Sequence, residues 1–132
     1  MNVVDSCGWL EYFSDGANAG FFAPAIENTA KPKLLVPTLT LFEVFKRILQ
    51  QRTEADALRA IALMRQGQLI DLSDAVALGA ARLSFDLKLP LADSIILFSA
   101  RMHHAKRWTQ DAHFDGISGV SFIRKAGVES SI

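Results

Sequence analysis

Four acidic residues stand where an α/β pattern places working groups. Asp5 directly follows the β-branched pair Val3-Val4, and Asp111 lies in the loop just after the strand candidate Arg107-Trp108-Thr109. Glu43 lies within the amphipathic stretch TLTLFEVFKR. Asp93 opens LADSIILFSAR, a segment otherwise almost wholly apolar. A carboxylate in such surroundings is costly to bury unless it caps a helix or meets a cation. A charged residue ending a buried strand of an open α/β sheet faces the functional site, because such sites lie at the carboxyl ends of strands.

Taken singly, each acid also has an ordinary reading. Asp93 can favour a helix N-terminus. Glu43 can pair with Arg47 four residues on, for a few tenths of a kcal/mol. Asp111 can make an Asx turn. Asp5 has the fewest such alternatives. Other chemistries have less support. Cys7, the single cysteine, has no motif around it and reads as a small residue near the core. One Cys and three His fit no zinc signature. His103 and His104 read as a polar turn at a helix end. His113, between Asp111 and Asp115, leaves a place near the site open.

The elements that must position these residues follow from periodicity and punctuation. Val3-Val4, Leu34–Val36 (ended by Pro37), Leu69–Leu72, Arg107–Thr109 and Val120–Ile123 read as strands. Ser6 is a suitable N-cap for a helix through Phe13, and Phe21–Glu27 reads as a second short helix. Thr38 or Thr40 can cap a helix to about Gln51. Its apolar stripe is Leu41, Phe42, Phe45, Ile48 and Leu49, and its polar stripe Glu43, Lys46, Arg47 and Gln50. Thr53 with Asp56 resembles a capping box for a helix ending near Gly67. Ser73 caps an Ala- and Gly-rich helix through Leu87, suited to close packing. A further helix runs from Leu91 to about Ala105, and its Ile95-Ile96-Leu97-Phe98 is apolar on every side, as in a buried helix. Strands separated by helices imply parallel pairing with right-handed crossovers.

The 132 residues suit one domain over 1–132, with 50% apolar and 21% charged residues, which excludes a disordered chain. A lone cysteine and the lack of a basic, apolar leader fit a reducing, cytoplasmic setting. The longest uncharged run, Gly16 to Ile26, falls well short of the about 20 residues that span a bilayer, so no membrane partner is expected. Fourteen basic and 14 acidic residues give a net charge of zero, which by itself speaks against a polyanion partner.

The blocks VVDSCGWLEYF, TLTLFEVFKR, LPLADSIILFSAR and WTQDAHFDG, in this order and spacing, resemble the PIN-domain family, and more closely the VapC-type toxins of type II VapBC toxin–antitoxin pairs. The resemblance covers essentially the whole chain. It implies a three-layer α/β/α fold around a mostly parallel sheet of about five strands. It also implies a carboxylate cluster of Asp5, Glu43, Asp93 and Asp111, with Thr109 as a hydroxyl hydrogen-bonding inside it and Asp115 as a looser further acid. Such a cluster repels itself unless cations enter, and hard cations such as Mg²⁺ or Mn²⁺ prefer oxygen ligands. The implied activity is that of a Mg²⁺/Mn²⁺-dependent endoribonuclease, with one or two ions, hydrolysing RNA phosphodiester bonds without a covalent intermediate. Lys46 and Arg47, sharing a stripe with Glu43, are the candidate phosphate contacts. The implied partners are RNA, a cognate VapB-type antitoxin laid over a hydrophobic groove, and a second copy in a homodimer. Trp9, Phe13, Phe21 and Phe22 are candidates for that groove.

Two rival enzyme classes lack their residues: a haloacid-dehalogenase-like phosphatase wants an acid at position 7, where Cys7 stands, and a receiver domain wants an acidic pair before its phosphoacceptor. The remaining alternative is a catalytically silent PIN-fold module that binds RNA or protein. Setting the five site acids apart leaves 14 basic against nine acidic residues, so neutrality is compatible with an acidic pocket on a mildly basic body.

Overall fold

A computed structural model describes residues 1–126. Five parallel strands form one sheet in the order β3-β2-β1-β4-β5: β1 (Asn2–Val4), β2 (Leu34–Pro37), β3 (Gln68–Ile70), β4 (Lys106–Thr109) and β5 (Val120–Phe122). The helices are α1 (Ser6–Phe13), α2 (Ala19–Glu27), α3 (Thr38–Gln51), α4 (Glu54–Met64), α5 (Asp74–Leu87) and α6 (Leu91–Met102). From β1 the chain steps outward through β2 and β3, then returns to place β4 and β5 on β1's other side. The carboxyl end of β1 is therefore the topological switch point, where the following loops diverge and leave a crevice.

The period of two along a strand divides the core. Val4, Leu34 and Val36 pack with Trp9, Phe22, Ile26, Val44, Ala57 and Met64 beneath α1 to α4. Val3 and Leu35 face the other way, onto Ile96 and Ala100 of α6. The result is a three-layer α/β/α sandwich, in agreement with the fold expected from the sequence. The small residues of α5 serve close packing: a Cβ on Gly79 would lie 2.0 Å from the Phe98 ring. Ile96 and Leu97 are fully buried, as the all-round apolar stretch of α6 implies.

Several local expectations are corrected. The cap of α1 is Asp5, not Ser6: the Asp5 side chain accepts from the Ser6 N–H, and Ser6 becomes the first helical residue. Neither Thr38 nor Thr40 caps α3, which follows Pro37 directly; the Thr40 hydroxyl donates back to the Pro37 carbonyl at 2.6 Å. The α3 stripe is rotated. Val44 is buried, whereas Phe42 (61% exposed) and Leu49 (43% exposed) lie outside the core. β3 stops at Ile70, short of Asp71 and Leu72, because its partner strand ends opposite it at Pro37. α6 ends at Met102 rather than Ala105. His104 there adopts φ 55°, and the N–H groups of His104 and Ala105 close back on the Arg101 and Ala100 carbonyls in a Schellman arrangement. No helix among the described residues is long and apolar enough to cross a membrane.

Candidate active site

Asp5 combines three placements. Its N–H still donates to the Trp108 carbonyl of β4 at 2.9 Å, its extended backbone begins α1, and its carboxylate turns inward. One oxygen, Oδ1, accepts from the Ser6 N–H at 2.8 Å. The other, Oδ2, accepts from the Thr109 hydroxyl and from the Arg107 guanidinium, each at 2.7 Å. With only 4% exposure, Asp5 is held by three donors within the protein. Thr109 Oγ1 also accepts from the Asp111 N–H at 3.0 Å, which ties the loop after β4 to the end of β1.

The other acids approach from separate elements. Glu43, on the second turn of α3, accepts from the Ser6 hydroxyl at 3.0 Å. Arg47 reaches Gln50 instead, so the helical Glu43–Arg47 pairing is not the one formed. Asp93 occupies the first turn of α6, which has no side-chain cap. Asp111 caps a short 3-10 turn, Ala112–Phe114, and accepts from the His113 N–H at 3.0 Å, with His113 Nδ1 3.3 Å from the same oxygen. Burial pushes the Glu43 carboxyl above its ordinary range, and the Asp5 and Asp93 charges add to that push against the Ser6 hydrogen bond. Burial likewise raises Asp93, helped by Asp111 and Asp5 and opposed by the Arg107 charge. Both shifts come first from burial, with neighbouring carboxylates adding to it.

Asp5, Glu43, Asp93 and Asp111 line one cavity of about 380 Å³, together with Ser6, Cys7, Gln110 and Lys125. Thr109 is buried behind it. Asp115 is exposed at the end of the 3-10 turn and does not line the cavity. Lys46 is exposed, with its ammonium 5.8 Å from the Phe42 ring. Arg47 lines an adjoining groove of about 510 Å³, which has Leu10, Phe13, Ile48 and Ala60 along it and Arg52 and Arg59 beside them. Of the aromatic residues considered for a groove, Phe13 lines this one, while Trp9 and Phe22 are fully buried in the core and Phe21 packs on Trp108.

The donor set suits a hard cation. Asp93, Asp111 and His113 each offer a ligand atom within 4.8 Å of the others, about twice the length of a metal–oxygen bond. Glu43 Oε1 and Asp5 Oδ1 each accept a single hydrogen bond from within the protein, which leaves lone pairs toward the cavity.

Arg107 completes this constellation. Arg107 points into the acid cluster from inside β4, fully buried, with Nη1 donating to the Asp93 carbonyl at 2.9 Å and Nη2 at 3.5 Å from Asp93 Oδ1. Its guanidinium lies 3.8 Å from the centre of the Phe114 ring. The available signal is strand alternation: residues 107 and 109 share a face, so an Arg two before the Thr that touches Asp5 must point the same way.

Residues 3–120 match the family model of the PIN domain. Comparison with curated proteins gives no match. Among solved structures, a toxin–antitoxin complex from Klebsiella pneumoniae is similar at 25% identity and TM-score 0.75, over 92% of this chain and 96% of that one. A VapC toxin of Mycobacterium tuberculosis, described as cleaving the sarcin–ricin loop, aligns with TM-score 0.74 at 11% identity over 89% and 95%. DNA-bound VapBC from Salmonella typhimurium aligns with TM-score 0.71 at 11% identity over 94% and 97%.

Proposed function

The chain belongs to the PIN-domain family, and from that membership we propose that it is a divalent-cation-dependent ribonuclease toxin restrained by a cognate antitoxin. The observation that carries this reading is the convergence of Asp5, Glu43, Asp93 and Asp111, from four separate elements, on one cavity at the switch point of the sheet. The residues that would hold Mg²⁺ or Mn²⁺ are Glu43, Asp93 and Asp111, with the remaining Asp5 lone pairs and His113 beside them. When bound, such a cation supplies positive charge that offsets the charge gathering on a phosphodiester under attack by water.

The chain's own residues set the stage for that attack. Thr109 holds Asp5 and the Asp111 backbone together through one hydroxyl. Ser6 orients both Asp5, by its N–H, and Glu43, by its hydroxyl. Lys125 at the rim, with Arg47 in the adjoining groove and Lys46 beside it, would grip phosphates.

The groove has an apolar wall, with Arg47, Arg52 and Arg59 set against Glu11 and Asp56, and so fits a chiefly apolar antitoxin segment; the similarity to toxin–antitoxin complexes supports such a partner. A homodimer finds support in Leu78 and Phe85 of α5 and Leu91 of α6, each more than 70% exposed. We further propose that 1–132 is a single PIN domain acting in the cytoplasm. A silent binding module draws on one observation, the occupation of Asp5 Oδ2 by Arg107. RNA incubated with the protein and Mn²⁺ decides between them. Cleavage abolished by EDTA, and lost in Glu43→Gln and Asp111→Asn, is expected; RNA left intact by the folded, Mn²⁺-loaded protein speaks for the silent module.

A further inference from the structure

Arg107 is the least expected residue in the molecule. It has no exposed surface, it lies on a central strand, and its Nε has no hydrogen-bond partner among the described residues. Burying a guanidinium is expensive, and burying one with an unpaired N–H more so. What offsets the cost is the acid cluster: Asp5 at 2.7 Å, the Asp93 carbonyl at 2.9 Å and the Asp93 carboxylate at 3.5 Å, with the Phe114 ring stacked on the other side. The fork therefore bridges two of the four acids from behind, on the side away from the crevice. It takes up one oxygen of Asp5 together with Thr109, and it supplies a fixed positive charge where carboxylates would otherwise face each other uncompensated.

Resting on the cation-dependent reading above, we propose that Arg107 is a resident cation of the site. It is a positioning residue that fixes Asp5 and Asp93 before any metal arrives and takes the place of a second divalent ion, so that the cluster binds one. Asp5 then serves mainly as the counter-ion that orients the cluster. Glu43, Asp93 and Asp111, whose oxygens are less committed within the protein, form the seat for the single ion.

The two possible roles of Arg107 differ in the sign of an effect. If Arg107 only supports the fold, replacing it loosens the acids and weakens metal binding. If it is a resident cation, removing its charge frees negative potential for the metal, and binding tightens or a second ion enters. Titration of the full chain with Mn²⁺, followed by calorimetry and by counting bound ions, separates them. The wild type is expected to bind one Mn²⁺. Arg107→Met is expected to bind it at least tenfold more tightly or to take up two, while cleaving RNA more slowly. Arg107→Lys, which keeps the charge without the fork, is expected to keep a stoichiometry of one, and it stands in should Arg107→Met not fold. Two ions on the wild type, or on Arg107→Lys, would overturn the inference and leave the ribonuclease reading intact, as would unchanged or weaker binding by a folded Arg107→Met. No Mn²⁺ binding by the wild type would instead overturn the cation-dependent reading, and this inference with it.

Discussion

Replacing Asp5 by Asn changes no volume and is the natural way to remove the first acid, yet the geometry makes it a structural lesion. The Asp5 carboxylate receives three donors: the Ser6 N–H at 2.8 Å, and the Thr109 hydroxyl and Arg107 guanidinium at 2.7 Å each. An amide has one oxygen for these donors, and its NH₂ then faces either the Ser6 N–H or the Arg107–Thr109 pair. Arg107 also loses its nearest counter-charge while remaining fully buried. Removing one partner of a buried ion pair costs about 3–5 kcal/mol. Because the Asp93 carboxylate remains 3.5 Å from the guanidinium, the loss belongs at the lower end, about 3 kcal/mol. With a urea dependence of about 2 kcal/mol per molar, the unfolding midpoint falls by about 1.5 M. Glu43→Gln should behave oppositely, holding or raising the midpoint, since it removes a carboxylate whose ionisation its surroundings oppose. The assay is urea unfolding followed by circular dichroism at neutral pH in EDTA. An Asp5→Asn midpoint equal to that of the wild type would refute the idea that Asp5 is the anchor of Arg107. If the loss is found, Glu43→Gln and Asp111→Asn are the cleaner probes of catalysis, since inactivity of Asp5→Asn mixes ligand loss with unfolding.

Three further outcomes are expected. In EDTA, Glu43 and Asp93 hold protons more tightly in the folded chain than in the unfolded one, so they contribute stability that is lost as pH rises from the unfolded carboxylate pKa toward the folded values. The melting temperature of Glu43→Gln relative to wild type should therefore climb from about pH 4 toward neutrality, and a difference that is flat with pH counts against the raised Glu43. The Cys7 thiol is pushed up to about 12 by burial and the nearby Asp5 charge, against an ordinary value of 9.0. Alkylation at pH 8 should thus be slower by roughly a thousandfold in the native protein than in urea, and equal rates would contradict a raised thiol. Phe85→Lys, at an exposed position on α5 that does not line the acid cavity, should convert a dimer to a monomer in light scattering while leaving cleavage of RNA by the monomer measurable. An unchanged mass would move the dimer to another face.

The strands and helices were legible because buried β-branched pairs, Gly and Pro punctuation and helical periodicity agree along this chain. Asp5, Asp93 and Asp111 were legible because each stands at a strand or helix end, where an α/β sheet exposes its crevice; Glu43, on the second turn of α3, was legible only in combination with them. Local choices between neighbours were less so. Asp5 and Ser6 are equally good caps, and only the fold shows that Ser6 spends its hydroxyl on Glu43. On α3, Phe42 and Leu49 extend the apolar count, but Val44 faces the core, because the helix is rotated by its contacts with α1 and α4. Arg107 was the hardest to read. An arginine in a short strand suggests an edge or a surface, and its burial makes sense only once β4 is known to lie beside β1, with Asp5 at that strand's end.

The central claim, that this acid cluster cuts RNA with a divalent cation, is tested most directly by sequencing the ends of RNA incubated with the purified chain. New ends recurring at defined positions with Mn²⁺ present, absent in EDTA and absent with Glu43→Gln or Asp111→Asn, are the expected result. Ends that are identical with and without Mn²⁺, or unchanged in those two variants, would contradict it.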